Sequence, residues 1–401
     1  MPTRRDALKL LGGSTLLSLA PTIPGFLART ARAAAPTKDG RVLVVVQLDG
    51  GNDGINTVVP FKDEGYAKHR KALRIGEKEV LKINDRLGLH PAMKGSVKLL
   101  ESGRLAIVPG VGYPNPNRSH FESMAIWQSA RLDEEERDGP GWLGRGLDAG
   151  PMTAEGPGSS LFVGSGTLPV ALRGRRSVAS SLDRLEDLTL DPSASAGRGL
   201  ASGAPGEDLA AFVRRSTLDA YASSDRLASL AKGRDGGPAY PSTGLSTRLR
   251  TVARLLKGGH PARIFYTTQG GYDTHSAQSN THYSLLDELS DALLAFLDDL
   301  AASGLADRVV LLAFSEFGRR VAENGSAGTD HGTAGPVLLA GPNVKAGLIG
   351  TYPSLTDLDS GDLKMSIDFR RVYATILDGW LGLPSPSALA GTFEPLGLLK
   401  A

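Results

Sequence analysis

The sequence predicts an α/β protein in which a largely parallel, mixed sheet lies between helices. Three observations carry that reading. Apolar runs such as Val42-Leu43-Val44-Val45-Val46 show no polar alternation, as strands buried on both faces require. Segments with apolar residues three and four apart, the signature of amphipathic helices, stand between those runs. The runs then end in short polar turns, at the edge where open α/β sheets bind their ligands.

Taken in order, residues 41–48 form the first strand, which ends in Asp49-Gly50-Gly51-Asn52-Asp53-Gly54. That turn lacks G-x-G-x-x-G spacing and precedes no clear helix, so it is not a phosphate loop. Asn52 and Asn56 read as residues that close it. Residues 105–108 are a second strand, stopped by Pro109-Gly110. A helix over 120–127 follows, headed by Ser119 with Glu122 three residues on, a loose capping box. Gly139-Pro140-Gly141-Trp142-Leu143-Gly144-Arg145 reads as a turn with an anchored Trp, from which Arg145 could face a pocket. Residues 193–206 and 232–244 are rich in Gly, Ser, Ala and Pro. They predict surface loops around a helical stretch over 208–230, a loop-rich insert near 190–245.

Leu245, Leu249, Val252 and Leu256 mark the next helix. Residues 262–268 are a strand running into Gly270-Gly271-Tyr272-Asp273-Thr274-His275. Leu286, Leu289, Leu293, Phe296 and Leu300 define a helix face, and residues 309–314 a strand leading to Ser315-Glu316. A strand over 336–340 and a helix over 369–381 complete the chain. Arg319 and Arg320 read as surface residues. No internal repeat is present.

Composition limits the functions open to the chain. It has 401 residues, 41% of them hydrophobic, and no Cys. A disulfide scaffold, a Cys nucleophile, thiolate zinc and iron–sulfur clusters are therefore excluded. Arg4-Arg5 precedes an apolar run and then Ala31-Arg32-Ala33, which reads as a twin-arginine export signal over residues 1–33. The twin-arginine translocase is the partner this implies, with a periplasmic or extracellular destination. Residues 34–401 are expected to form one domain. The net charge of +2 belongs to the signal, whose five Lys and Arg against one Asp leave the remainder at −2. A nucleic-acid partner is not expected. No apolar stretch beyond the signal is long enough to span a bilayer, which argues against an integral membrane protein.

Three strands end in acidic residues, Asp49, Asp273 and Glu316, and the seven His include two beside carboxylates. His275 is two residues after Asp273, and His331 directly follows Asp330. Asp and His clusters without Cys favour a hard or borderline divalent ion, namely zinc, manganese or magnesium. Asp49, Asp273, His275, Glu316 and His331 are the candidate ligands, with Asp330 beside them. Ser119 is the candidate nucleophile, which a base or metal must activate, or else simply a helix cap. His120 is the candidate general acid or orienting group. G-x-S-x-G and H-E-x-x-H are both absent, against an ordinary esterase or zincin.

These residues fall in strings that recur in one family. They are VVQLDGGNDGINTVVP from Val45 to Pro60, Asn117-Arg118-Ser119-His120-Phe121, Gly141-Trp142-Leu143-Gly144-Arg145, Gly271-Tyr272-Asp273-Thr274-His275, Ser315-Glu316-Phe317-Gly318-Arg319 and Gly328-Thr329-Asp330-His331-Gly332-Thr333-Ala334. Over nearly all of the chain beyond the signal, the sequence resembles the exported bacterial "domain of unknown function 1501" family. That family looks like a branch of the alkaline phosphatase and sulfatase superfamily. The resemblance implies an alkaline-phosphatase-like three-layer fold with a metal site at the strand ends. Asp49 matches the superfamily's first Asp, Ser119 its nucleophile, Asp273 and His275 its first cluster, and His331 its last His. The resemblance implies one or two divalent ions; Glu316 stands where the superfamily often has an Asp-His pair, a departure that implies one ion or none in place of two. With no Cys to convert to formylglycine, and no Ser-x-Pro-x-Arg setting, a conventional sulfatase is disfavoured. The implied activity is metal-dependent hydrolysis of a phosphate or related small anionic ester. The alternatives are a non-enzymatic envelope protein with a degenerate site and a single-metal enzyme of another reaction type, such as a phosphomutase relative.

Overall fold

The computed structural model describes residues 40–151, 158–183 and 238–400. The expected export segment, the helical stretch 208–230 and the loop 193–206 lie outside these residues, as do residues 232–237 of the loop expected over 232–244. The strands of the main sheet are, in chain order, β1 (Val42–Leu48), β2 (Leu105–Gly112), β3 (Ser159–Val163), β4 (Val178–Leu182), β5 (Ile264–Gln269), β6 (Val309–Ser315), β7 (Gly335–Ala340), β8 (Gly347–Leu348) and β9 (Ile367–Asp368). Their spatial order is β8-β2-β7-β6-β1-β5-β3-β4, with β9 also paired to β2. β1 sits between two parallel neighbours, Val45 opposite Tyr266 on one side and Leu312 on the other. Every pairing in the sheet is parallel except those of β7, which runs antiparallel to both β6 and β2.

Helices cover both faces. Those that do so are α1 (Lys94–Glu101), α2 (His120–Ser129), α3 (Trp142–Ala149), α4 (Gly244–Lys257), α5 (Gln278–Ala302), α6 (Phe369–Ala374) and α7 (Ser385–Leu389). The alternation of β1 side chains divides the core. Val44 and Val46 pack with Leu99, Leu249 and Phe296 of α1, α4 and α5. Leu43 and Val45 face the other way, toward Trp127, Leu143 and Tyr373 of α2, α3 and α6. Burial of each such side chain stabilises the fold by about 1.5–3 kcal/mol. Among the described residues, no helix is long and apolar enough to cross a membrane.

Several local expectations need correction. β2 does not stop at Pro109-Gly110 but continues to Gly112. Gly110 takes a positive φ of 65°, and the pairing with β7 shifts register between Gly335 and Val337, so an irregularity absorbs the proline. The turn after β1 does lead into a helix, the single turn Gly54–Thr57, where the Asp53 side chain accepts from Asn56 N at 3.3 Å. Trp142 to Arg145 is the first half of α3 rather than a turn. The helix expected over 369–381 is α-helical only to Ala374 and closes as a π-helix, Thr375–Leu381. α1, β3 and β4 were not expected.

Candidate metal centre

The reversed direction of β7 decides where the chemistry can gather. β1, β5 and β6 bring Asp49, the Asp273–His275 loop and Glu316 to one edge of the sheet. Because β7 runs the other way, the loop before it delivers His331 to that same edge. The N-terminus of α2 adds His120.

The Asp273 Oδ1 atom is the point of convergence. His275 Nε2 stands 3.0 Å from it, His331 Nε2 3.1 Å and His120 Nε2 3.4 Å. His275 Nε2 and His331 Nε2 are themselves 3.0 Å apart. The other nitrogen of each ring is held from behind. His331 Nδ1 donates to the backbone oxygen of Arg118 at 2.7 Å, and Nδ1 of His275 faces Asp330 Oδ1 at 3.2 Å. His120 Nδ1 faces Glu316 Oε1 at 2.8 Å. Acceptors at Nδ1 place the ring proton there and leave a lone pair on each Nε2. Two lone pairs facing each other across 3.0 Å repel, so a positive charge belongs between them. The donor set fits a divalent ion of borderline hardness: two imidazoles, each oriented by an oxygen, and one carboxylate. His120, Asp273 and His331 also place ligand atoms within 4.8 Å of one another, and His120 Nε2 is buried without a hydrogen-bond partner.

Asp273 is kept ionised. Partial burial pulls its carboxyl upward, but the hydrogen bond from Arg319 and the imidazole of His331 facing it outweigh that and hold it at about 2. Arg319 is the anchor of the site. Expected on the surface, it is instead 1% exposed. Its Nε donates to Gly51 O at 2.7 Å, Nη1 to Thr329 O at 2.7 Å, and Nη2 to Tyr272 O at 3.0 Å, to Asp273 Oδ1 at 2.7 Å and to Gly50 O. One guanidinium thus ties together the loops after β1 and β5 and before β7. Phe317 lies beneath the imidazoles, its ring centroid 4.9 Å from those of both His120 and His331. Gly51, at φ 72°, is required there, since a Cβ would lie 2.2 Å from the Phe317 ring.

A family model described as "Protein of unknown function (DUF1501)" matches residues 41–388. The chain belongs to that family. No curated relative matches it. Solved structures that it resembles include the C-terminal periplasmic domain of EptC from Escherichia coli in complex with Zn, at 9% identity and a TM-score of 0.38, covering 76% of this chain and 74% of that one. The PsFucS1 sulfatase from Pseudoalteromonas sp. is 12% identical with a TM-score of 0.38, over 93% of this chain and 74% of that one. The lipoteichoic acid synthase LtaP from Listeria monocytogenes is 11% identical with a TM-score of 0.32, over 82% and 75%. Likeness at this level is too distant to assign chemistry, which has to be argued from the DUF1501 protein's own residues.

Of the candidate residues, Asp273, His275, Asp330 and His331 form one group with His120 at its edge. Asp330 reaches the group through His275 Nδ1. Glu316 is 2% exposed and turned behind His120, and its oxygens accept from Gly50 N at 3.0 Å, Ser315 Oγ at 2.8 Å and His120. That hydrogen bond raises the His120 pKa. Asp49 lies beside Glu316, bonded to Gln47, and burial lifts its carboxyl to about 6, with the Glu316 charge adding to the rise. Ser119 occupies the N-cap position of α2, but its side chain makes no capping bond and Glu122 pairs with Arg137 instead, so the capping box is not formed. Ser119 stands between Arg118, whose carbonyl holds His331, and His120.

Beneath the site is a polar network that the sequence reading missed. Asp53 and Arg70 pair at 2.5 Å with both side chains fully buried. Gln278 donates to Asp53 at 2.5 Å, and His282 Nε2 donates to Asn52 Oδ1 at 2.9 Å. Desolvation works against the Asp53 charge, but Arg70 prevails and holds the carboxyl at about 2. Arg70 lies in an ordinary polar stretch, and nothing local in the sequence marks it.

Proposed function

We propose that this DUF1501 protein is an exported metal-dependent hydrolase acting on a phosphate or related small anionic ester. The observation that carries the reading is the convergence of two outward-facing imidazole lone pairs on the ionised Asp273. Asp273, His275 and His331 would hold one divalent ion, leaving a position open for water or substrate, as three-ligand catalytic sites do. Such an ion would withdraw charge from an ester oxygen and lower the pKa of a bound water or hydroxyl. His120, its pKa raised by the buried Glu316, would take a second proton at Nε2 and as the imidazolium present it to the leaving oxygen. Glu316 and Asp49 act from behind His120 in this reading, so one ion is expected rather than two. The anionic-ester class rests on the resemblance of the motif set to the phosphatase and sulfatase superfamily. The paired arginines near the N-terminus support export through the twin-arginine translocase.

A second reading is a non-enzymatic envelope protein that retains the site. One observation favours it: among the described residues, no hydrogen bond joins the Ser119 hydroxyl to a base. Hydrolysis of p-nitrophenyl phosphate and p-nitrophenyl sulfate by the zinc-, manganese- or magnesium-loaded protein separates the two. Asp273→Ala is expected to reduce the rate by roughly 10²-fold or more. Metal-loaded protein with no turnover above that variant would leave the envelope reading standing.

A further inference from the structure

A cleft of about 550 Å³ lies at the opposite end of α2 from His120, bounded by α3 and by Ser387 and Ala390. At 1.5 Å per residue, α2 separates it from the candidate metal centre by about 15 Å. Arg131, just beyond the left-handed Ala130 that ends α2, lines this cleft. Its Nη1 is buried with no hydrogen-bond partner. Its Nε stands 3.7 Å from Glu136, whose carboxylate is 60% exposed. Arg145 points into the same region. Its guanidinium donates to three backbone oxygens, those of Ala388 at 2.7 Å, Pro140 and Ser129, which take three of its five hydrogens and leave its charge without a carboxylate among the described residues. Burial and the nearby Arg131 lower Arg145 to about 10. Arg175 stands on the rim. The second carboxylate of the cleft, Asp148, is already engaged by the backbone N–H groups of Arg175, Arg176 and Ser177.

The cleft therefore sets three guanidinium groups against one solvated carboxylate and one already bonded. Partly desolvated cations are costly where charge is left uncompensated: among the described residues Arg145 bonds no carboxylate and Arg131 has only the exposed Glu136 at 3.7 Å, while the planar fork of Arg suits carboxylate and phosphate oxygens. We propose that this cleft binds a small organic oxyanion, a molecule carrying a carboxylate or phosphate group, with Arg131 as its principal partner. The volume lies within the roughly 300–1,000 Å³ of small-molecule sites. The site needs no metal and stands apart from the one described above.

Thermal unfolding of the full chain, freed of metal, tests it with inorganic phosphate and with acetate at constant ionic strength. Phosphate, acetate or both at about ten times Kd are expected to raise Tm by roughly 2–5 °C, in wild type and in His331→Ala alike. Phosphate alone would identify a phosphate ester as the ligand class, and acetate alone a carboxylate. Arg131→Met is expected to abolish the shift, and Arg175→Ala, at an exposed position that does not threaten folding, to reduce it by at least half. A shift kept in both arginine variants, or lost in His331→Ala, would overturn the proposal by placing the anion elsewhere. So would the absence of a shift with both probes. Metal content in Arg131→Met stays at the wild-type level in either case, which keeps this test separate from that of the metal centre.

Discussion

Arg319 shows how much of the site depends on a residue that performs no chemistry. Its guanidinium satisfies four backbone oxygens and one carboxylate oxygen from three loops. Arg319→Met would retain much of the side-chain volume and leave those acceptors without their donor. A loss of about 3 kcal/mol is expected, read as a lower urea midpoint at an unchanged m-value. The sequence could not reveal this role. An Arg after a strand is ordinarily a solvated residue, and only the burial of the loops around it makes it an anchor. His275 and His331 were legible for a different reason. Each sits beside a carboxylate in a Gly-containing loop, so the pattern that identified them is local. Glu316 was legible as a member of the candidate site, but whether it faces an ion or holds His120 depends on its rotamer, which the sequence does not encode.

At the scale of elements, apolar periodicity located the central strands and the long helices α4 and α5 well. It failed where packing overrides propensity. α3 carries Gly144 and Gly146 within eight residues, poor helix material that reads as a turn. The reason is close approach: a Cβ on Gly144 would lie 2.0 Å from the Arg173 backbone oxygen. Gly144→Ala should therefore destabilise the protein by about 1–3 kcal/mol, although Ala favours helix by about 1 kcal/mol. An unchanged or raised Tm for that variant would contradict this account of α3. β3 and the edge strand β4 were missed because they are short and Ser-containing, with little apolar signal. In β4 only Leu182 is fully buried.

For the whole molecule, the α/β class was evident from the strand runs, but the antiparallel direction of β7 was not. That direction is what brings His331 to the carboxyl edge of β1, β5 and β6. It is expressed in the pairing with β6 and β2 rather than in any local pattern. Stability as a function of pH also belongs at this scale. Burial lowers His90 to about 3 and His260 and His282 to about 4, against an ordinary value of 6.5. Between pH 6.5 and about 4 these three imidazoles take up protons in the unfolded chain but not in the folded one, which outweighs the single opposing proton on Asp49, raised to about 6 in the fold. Stability is present at neutral pH and falls as the pH drops through that window. Asp53, held at about 2, extends the loss below its unfolded value of 3.8. The urea midpoint is expected to fall continuously from pH 7 to pH 4, and His282→Gln to reduce the slope. A flat profile would show that these imidazoles are not held neutral by the fold.

The central claim is that His275, His331 and Asp273 form a centre for one divalent ion. Elemental mass spectrometry of protein purified without chelator, beside His275→Ala and His331→Ala, tests it most directly. About one zinc or manganese ion per chain, lost in both variants, is the expected result. A folded, monodisperse protein without metal, or one whose metal survives both substitutions, would contradict it.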